Sequence, residues 1–472
     1  MSRIVAAGLA GGLAAGLMVV STAEAQTRIP DDAKPTCAVS QGELDGWFAG
    51  GSVARGGMVW PADSISFPPV QNTACDFYQW AQQMFLWLTS PEGDVPVFEG
   101  GQFYSVEPAD DGKLQFVADD DGTALTLRTR KSDEIGSLGQ AGGGDVLVSQ
   151  AGSLTYYGLH ANDVYAEYRT GQAEGAFDGT SIAQAFPTTA ADLRLVEDFA
   201  GEAFVDGVAL TMELKTSWVD AATVSDPSRY VTIDTTVPAF DRSSDTTWTS
   251  TGTEDMTLAL VGMHVVGTVN GHPEMVWASF EHVDNAPDAP YYYIDTDGDN
   301  VLVPFDSSGG WLFMTSGGAY SDDVAPTAKY DGDSGNIVAD SGDSIGPVDV
   351  IRLNPFGDAP SSADSAANNT DLVSLNSSVM TALAAVDDVR ANYFQLGGIW
   401  SQLGQIPTSG TNDFLRGSLF LANATMETFH QYPDKNNGFQ SNNCFTCHST
   451  SSGESIDTSH IFTDIVPLHT QQ

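Results

Sequence analysis

The stretch from Met256 to His282, MTLALVGMHVVGTVNGHPEMVWASFEH, decides the fold class of this chain. Met256–Val269 is an almost continuous apolar run, which predicts a central strand pair, and Met275–His282 predicts a further strand. Upstream, Val208–Val219 alternates between apolar and polar residues, as half-buried strands do. Because turn residues punctuate these β-branched and aromatic segments, we predict an α+β fold with a mostly antiparallel β body.

Helical periodicity is present in two segments outside these strands. Ala74–Leu88 repeats apolar residues at helical spacing and ends just before Pro91. Asp371–Ala391 is the second candidate, with apolar residues such as Leu375 along one side. From about residue 100 to 320 the sequence predicts short strands separated by Gly, Asp and Pro. The β body should therefore carry only a few helices.

The composition excludes two classes of partner. The chain has 62 acidic residues against 18 lysines and arginines, a formal net charge of −44. A surface of this charge repels nucleic acid and anionic membranes, so neither is expected as a partner. Solubility in salty water explains the charge most simply, and steering of a basic redox partner at low salt is the alternative.

Residues 1–25 have the organisation of a secretory signal peptide. Arg3 supplies the positive start, Ile4–Val20 is apolar and glycine-rich, and Ala23-Glu24-Ala25 fits a cleavage site. We expect cleavage near Ala25 and a mature protein that is periplasmic or extracellular. No later segment reaches the roughly 18 apolar residues of a membrane span, so none is expected in the mature chain. An uncleaved anchor helix is the alternative.

Five residues near the end of the chain carry the clearest chemistry: Cys444-Phe445-Thr446-Cys447-His448. In this C-x-x-C-H pattern two thiols can form thioethers with one haem edge, and the histidine can bind the iron as the proximal ligand. A zinc site completed by His460 and a thioredoxin-like cysteine pair are the alternatives. We expect one covalent haem c on Cys444 and Cys447, with His448 on the iron.

The two other cysteines, Cys37 and Cys75, are expected to form a disulfide in an oxidising compartment. Only 24 residues follow His448, and they contain no methionine. This tail is too short for a small appended cytochrome domain. We therefore expect residues 26–430 to form a β-rich body with most of the haem pocket, and residues 431–472 to be the haem attachment segment packed on it.

The sixth iron position has three main candidates, His460 in the tail and His282 or His264 in the body. The tail also offers His469, and the body also offers Met263, Met275, Met380 and Met426. Glu281 and His282 end an apolar strand within a polar cluster, and they are the candidate acid–base residues if the iron is open to substrate. Glu213 and Lys215 on a neighbouring strand are their possible partners. For each histidine, a structural role is the alternative.

Several segments resemble an uncharacterised group of secreted bacterial cytochrome c family proteins with a single C-terminal C-x-x-C-H motif. The segments are Phe77–Pro91, Met212–Trp218, Gly262–Asn285, Leu421–Thr428 and Ser459–Phe462. The resemblance implies thioethers at Cys444 and Cys447 and a proximal ligand at His448. It implies nothing about substrate or reaction.

Two functions follow as expectations. The first is a monohaem electron carrier whose iron is ligated by His448 and a second side chain, with a redox protein or a small oxidant or reductant as partner. The alternative is a haem c oxidoreductase, similar to a peroxidase or oxygenase, with an open distal site. A weaker expectation is calcium at Asp295, Asp297 and Asp299, for which an acidic turn is the alternative.

Overall fold

The structure is a computed structural model that describes residues 29–68, 73–109, 113–118, 144–340, 344–357, 365–431 and 443–470. The predicted signal peptide, residues 1–25, lies outside the described residues. So does part of the expected attachment segment, residues 432–442.

Helices and strands in the described residues confirm the predicted α+β class. The helices are α1 Gln41–Trp47, α2 Ala74–Leu88, α3 Asp163–Ala173, α4 Ala190–Ala200, α5 Ala366–Ala384 and α6 Cys444–Cys447. The strands are β1 Pro91–Glu92, β2 Val95–Pro96, β3 Phe103–Pro108, β4 Leu114–Ala118, β5 Tyr156–Asn162, β6 Met212–Asp220, β7 Thr232–Asp241, β8 Thr247–Val269, β9 His272–His282, β10 Tyr291–Ile294, β11 Asn300–Val303, β12 Ala328–Asp331, β13 Asn336–Ala339, β14 Tyr393–Ser401, β15 Leu415–Gly417 and β16 Ile465–Val466.

One twelve-stranded sheet organises the chain. Its main path runs β15-β14-β9-β8-β6-β5-β3-β4-β16, and β7, β12 and β13 extend it off this path. The pairings are antiparallel except that β16 runs parallel to β4. The sheet is thus mostly antiparallel, as predicted, and β8 lies at its centre between β6 and β9.

Helix α2 occupies the predicted residues and covers one face of the sheet, which we call the helix-covered face. Phe85 of α2 stacks on Phe280 of β9, with ring centroids 4.4 Å apart. The start of α2 is tied to the N-terminal segment by the expected disulfide between Cys37 and Cys75, whose Cα atoms are 5.4 Å apart. The apolar stripe read from the sequence is therefore the buried side of this helix.

Three sequence predictions need correction. The region expected to hold only strands contains α3 and α4, which begin at side-chain caps: Asn162 accepts from the Tyr165 backbone N–H, and Thr189 accepts from that of Asp192. Met256–Val269 is the second half of one 23-residue strand, β8, instead of a strand pair. Helix α5 begins earlier and ends earlier than predicted, because the chain turns after Ala384 and Asp387 adopts a positive φ of 55°.

The C-terminal segment packs across the other face of the sheet, as the predicted architecture requires. Strand β16 adds to the edge at β4, and Phe462 packs edge-on against Tyr165 of α3 with ring centroids 5.7 Å apart. In the part of the chain that the structure describes, no helix combines the length and apolar character needed to span a bilayer.

Candidate functional site

The face of the sheet that meets the C-terminal segment carries polar side chains, and we call it the polar face. Residues directly opposite on paired strands point to the same face, as do residues two apart on one strand. Val266 of β8 lies opposite Glu213 of β6 and Trp277 of β9, and His264 lies opposite Lys215 and Ser279. These side chains therefore form two neighbouring rows on one face.

The C-terminal segment covers the row of Val266. The ring of Trp277 lies 4.2 Å from the ring of His448, and Ser459 donates to the Glu213 carboxylate at 2.6 Å. The indole of Trp277 is itself fixed, since its Nε1 donates to the Glu274 carbonyl at 2.9 Å. One end of the polar face is thus closed by the segment that carries the C-x-x-C-H motif.

A third row lies on the side of His264 that is away from Val266. Residues 421–431, which we call the covering loop, close this row. There Gly262 lies opposite Ser217 and Glu281. The Ser217 hydroxyl is 2.7 Å from that of Thr425, and the backbone N–H of Ala424 donates to Glu281 at 2.6 Å. A Cβ on Gly262 would lie 2.6 Å from the Thr425 hydroxyl, so the loop sits directly on the sheet.

Between these two covers runs a row that is only partly covered. Leu159 of β5, Lys215 of β6 and His264 of β8 lie opposite one another across three strands. These three residues are half-buried. Every other residue of β5, of Met212–Val219 in β6 and of Leu258–Val269 in β8 is buried. Leu159, Lys215 and His264 therefore form a partly exposed row on the polar face, which we call the crevice, adjacent to the row that contacts His448.

The motif itself forms one helical turn. Cys444 and Cys447 begin and end α6, so their side chains lie on neighbouring positions of a single turn. Both thiols are half-buried and neither forms a disulfide. Asn443 holds the turn in place by donating to the carbonyls of Gly410 at 3.0 Å and Leu419 at 2.9 Å. Two thiols on one anchored turn are what attachment to one haem edge requires.

His448 is held in the tautomer that binds metals through Nε2. Its Nδ1 lies 2.9 Å from the Thr458 carbonyl oxygen, which can only accept, so Nδ1 carries the hydrogen. The lone pair of the neutral ring is then on Nε2. A hydrogen bond of this kind orients a metal-binding histidine and raises its basicity.

His460 lies beside His448. The two rings stack with centroids 4.0 Å apart and planes inclined by 16°, and Nε2 of His460 lies 3.1 Å from the Cys447 carbonyl oxygen. The imidazole of His460 is thus occupied by His448 and by the Cys447 carbonyl. In this arrangement His460 supports His448, and its candidate role as sixth ligand would need a different side-chain position.

His264 is paired with a carboxylate from the covering loop. Its Nε2 lies 3.2 Å from Oε2 of Glu427, and that oxygen also accepts from the backbone N–H of Asn423 at 2.9 Å. The His264 and Glu427 side chains are 18% and 21% exposed. Because a carboxylate accepts, Nε2 of His264 donates and Nδ1 holds the lone pair of the neutral ring.

The structure does not bring Glu281 and His282 together as an acid–base pair, because consecutive strand residues point to opposite faces. Glu281 faces the covering loop and forms a buried ion pair with Arg352 at 2.7 Å. His282 is fully buried and stacks on Tyr230, with ring centroids 3.8 Å apart. Nor do Glu213 and Lys215 face His282, since they lie opposite Val266 and His264.

Both ring nitrogens of His282 are already used by the backbone. Nε2 lies 3.1 Å from the Arg229 carbonyl oxygen, and Nδ1 accepts from the Asp284 N–H at 3.2 Å. Of the three histidines considered for the sixth position, His264 is the one in the crevice.

The alternatives to haem receive less support from the geometry. In the described residues, one group of three potential ligands has all its donor atoms within 4.8 Å of one another, Cys37, Cys75 and Asp371, and its thiols form the disulfide. In the chain, helix α6 comes between β15 and β16, which lie at opposite ends of the main sheet path. It is therefore not part of a βαβ unit.

At the calcium candidate, the carboxylate of Asp295 accepts hydrogen bonds from the backbone N–H groups of Asp297 and Asp299.

Two features of this site escape sequence reasoning. The contact of Trp277 with His448 joins residues far apart in the chain, and the pairing of His264 with Glu427 does the same. The one available signal is that His264 interrupts the apolar run Leu258–Val269.

Comparison of the chain with protein-family models, curated proteins and solved structures finds no match. The function is therefore argued from the geometry of the site.

Proposed function

We propose that this protein is a periplasmic or extracellular monohaem c-type cytochrome that transfers electrons. Cys444 and Cys447 would hold the haem as thioethers, and His448 would be the proximal iron ligand. When bound, the haem supplies one-electron chemistry, with iron alternating between Fe(III) and Fe(II). The observation that carries the proposal is the hydrogen bond from His448 Nδ1 to the Thr458 carbonyl, which fixes the tautomer that binds metals through Nε2, on the helical turn that carries both thiols.

The surroundings of the motif fit a haem. Phe445 and Trp277 pack edge-on with ring centroids 5.9 Å apart and supply apolar surface beside His448. The crevice on the polar face begins one row from Trp277, because diagonal neighbours on paired strands lie about 7–8 Å apart. In this proposal the β body supplies most of the haem pocket.

The compartment and the family resemblance support the same proposal. A disulfide between Cys37 and Cys75 suits an oxidising compartment, where c-type haem is attached. The resemblance to secreted cytochrome c family proteins implies the same roles for Cys444, Cys447 and His448. A second side chain on the iron remains the expectation for an electron carrier, with His264 as its candidate.

Expression with the bacterial haem-attachment machinery tests the proposal. The purified mature protein should show a c-type pyridine haemochrome spectrum with one haem per chain that acid–acetone does not extract. The Cys444→Ser/Cys447→Ser variant should lose the covalent haem. The matched control, Cys37→Ser/Cys75→Ser, removes the same number of thiols and should keep it. A wild-type protein without covalent haem would overturn the proposal.

A haem oxidoreductase with an open sixth position is the second candidate. One observation favours it: Nε2 of His264, the atom by which histidine most often binds haem iron, is engaged by Glu427. The spectrum of the reduced protein before and after addition of carbon monoxide separates the two functions. A low-spin spectrum indifferent to the gas indicates a carrier, and a high-spin spectrum that shifts indicates an open site.

A further inference from the structure

Three groups hold the imidazole of His448. The Thr458 carbonyl oxygen lies 2.9 Å from Nδ1, and the ring of His460 stacks on the imidazole. The ring of Trp277 lies 4.2 Å away by centroids, with the two planes inclined by 44°. Thr458 and His460 belong to the C-terminal segment itself. Trp277 comes from β9, so its contact ties His448 to the central sheet.

The indole of Trp277 has a fixed position in that sheet. Its side chain is buried, and its Nε1 donates to the Glu274 carbonyl at 2.9 Å. Its backbone lies between Val266 of β8 and Ile399 of β14, which are its partners on the two neighbouring strands. Because the interior is close-packed and the backbone is paired on both sides, the indole cannot move without disturbing the sheet. It can therefore serve as a fixed wall for the ring that it touches.

We propose that Trp277 is a positioning residue for the proximal iron ligand, and that it fixes the direction of the His448 imidazole plane. The proposal rests on the haem attachment proposed above and deepens it, because it gives the β body a part in how the iron is held. The hydrogen bond to Thr458 selects the tautomer but leaves the imidazole able to turn about that bond. Contacts with neighbouring rings remove this freedom, and Trp277 supplies the contact that does not depend on the C-terminal segment.

Such positioning suits an electron carrier. The groups around a metal ligand set its orientation, and a ligand that is already held needs little rearrangement when the iron changes charge. Trp277 brings no charge to the site. Its single polar hydrogen is used by the Glu274 carbonyl, so the indole does not compete for the Nε2 lone pair of His448. Its effect on the iron is therefore exerted through the geometry of His448.

The test compares the haem-containing wild type with Trp277→Leu and Trp277→Phe, and uses Trp248→Leu as the matched control. Trp248 is also a buried tryptophan of the sheet, but it lies opposite Ile337 of β13 and under Arg242. Pyridine haemochrome gives the haem content first, and circular dichroism checks the fold. Proton NMR of the oxidised proteins then gives the haem methyl resonances, whose paramagnetic shifts depend on the direction of the axial imidazole plane.

We expect every variant to keep one covalent haem, because the C-x-x-C-H motif is unchanged. Trp277→Leu should change the pattern of methyl shifts. Trp277→Phe should change it less, because phenylalanine keeps a ring beside His448, and Trp248→Leu should leave the wild-type pattern.

A wild type without haem would overturn the proposed function and this proposal together. A folded, haem-containing Trp277→Leu protein with the wild-type pattern would overturn the positioning role alone, as would an equal change in the Trp248→Leu control. If Trp277→Leu does not fold, Trp277→Phe decides the question, because it loses the hydrogen bond to Glu274 and part of the ring surface. A changed pattern in that variant supports the role of Trp277, and an unchanged pattern overturns it.

Discussion

The two faces of the central sheet carry different kinds of residue, although they come from the same strands. On the helix-covered face, Met263 and Val265 of β8 lie opposite Phe280 and Ala278 of β9 and are buried. On the polar face, the intervening His264 is half-buried and paired with Glu427. The period of two along β8 therefore separates a packed core from a crevice within a single strand.

This difference indicates a division of labour. The apolar contacts of the helix-covered face stabilise the sheet, because burying aromatic and aliphatic side chains contributes most of the folding free energy. The polar face can then hold partly exposed charged residues beside Trp277 without loss of the fold. Changes on the first face should alter stability, and changes in the crevice should leave stability almost unchanged.

The largest expected effect is at Phe280. Phe280→Ala leaves a cavity under Phe85 of α2 and should lower the free energy of unfolding by about 3–5 kcal/mol. The haem spectrum of the folded protein should stay unchanged. Urea denaturation followed by circular dichroism measures the first quantity. An effect on stability below about 1 kcal/mol would contradict the stabilising role of this face.

A pH experiment sharpens the contrast between the two faces. His160 lies on the helix-covered face, and burial lowers its pKa to about 3. Between pH about 6.5 and about 3 the unfolded chain binds a proton that the folded protein does not. The contribution of the neutral, buried His160 to the free energy of unfolding is therefore complete above pH about 6.5 and falls as the pH decreases.

The wild type should lose about 3 kcal/mol more than His160→Gln between pH 7 and pH 4. Urea denaturation of both proteins across this range gives the difference. Equal slopes for the two proteins would show that His160 does not titrate in this way.

A smaller effect is expected at the contact between the polar face and the C-terminal segment. Ser459 accepts from Tyr165 at 2.7 Å and donates to Glu213 at 2.6 Å. Ser459→Ala removes both bonds and should cost about 1–3 kcal/mol. Tyr165→Phe, which removes one of them, should cost less. Urea denaturation of both variants measures how much unfolding free energy each one loses. A larger loss for Tyr165→Phe than for Ser459→Ala would contradict this hydrogen-bond chain.

The smallest change in stability is expected in the crevice. His264→Gln should alter the free energy of unfolding by no more than about 0.5–1 kcal/mol, because His264 is partly exposed and glutamine can still donate a hydrogen bond to Glu427. The same urea titration used for Phe280→Ala measures it. A loss as large as that of Phe280→Ala would mean that the two faces do not differ in role.

The sequence predicts α2 and most of β6 because their burial is local in pattern. The apolar stripe of Ala74–Leu88 and the alternation of Val208–Val219 each depend only on residues close together in the sequence. The sequence analysis does not predict helices α3 and α4, although Asn162 and Thr189 are helix caps and α4 repeats apolar residues at helical spacing.

For the site, the sequence predicts Cys444, Cys447 and His448 because the motif is contiguous. It does not predict the crevice, which depends on the register of β5, β6 and β8. Glu281 and His282 are neighbours in the sequence, yet the strand pleat separates them onto opposite faces. The pairing of His264 with Glu427 arises only when the covering loop folds back onto the sheet.

The central claim is that the Cys444–His448 turn carries a covalent haem. Mass spectrometry of a proteolytic digest of the mature protein tests it most directly. The account predicts that the peptide containing Cys444 and Cys447 carries the mass of one haem and that the peptides joined by Cys37 and Cys75 carry none. Recovery of the first peptide with two unmodified thiols, from protein made with the haem-attachment machinery, would contradict it.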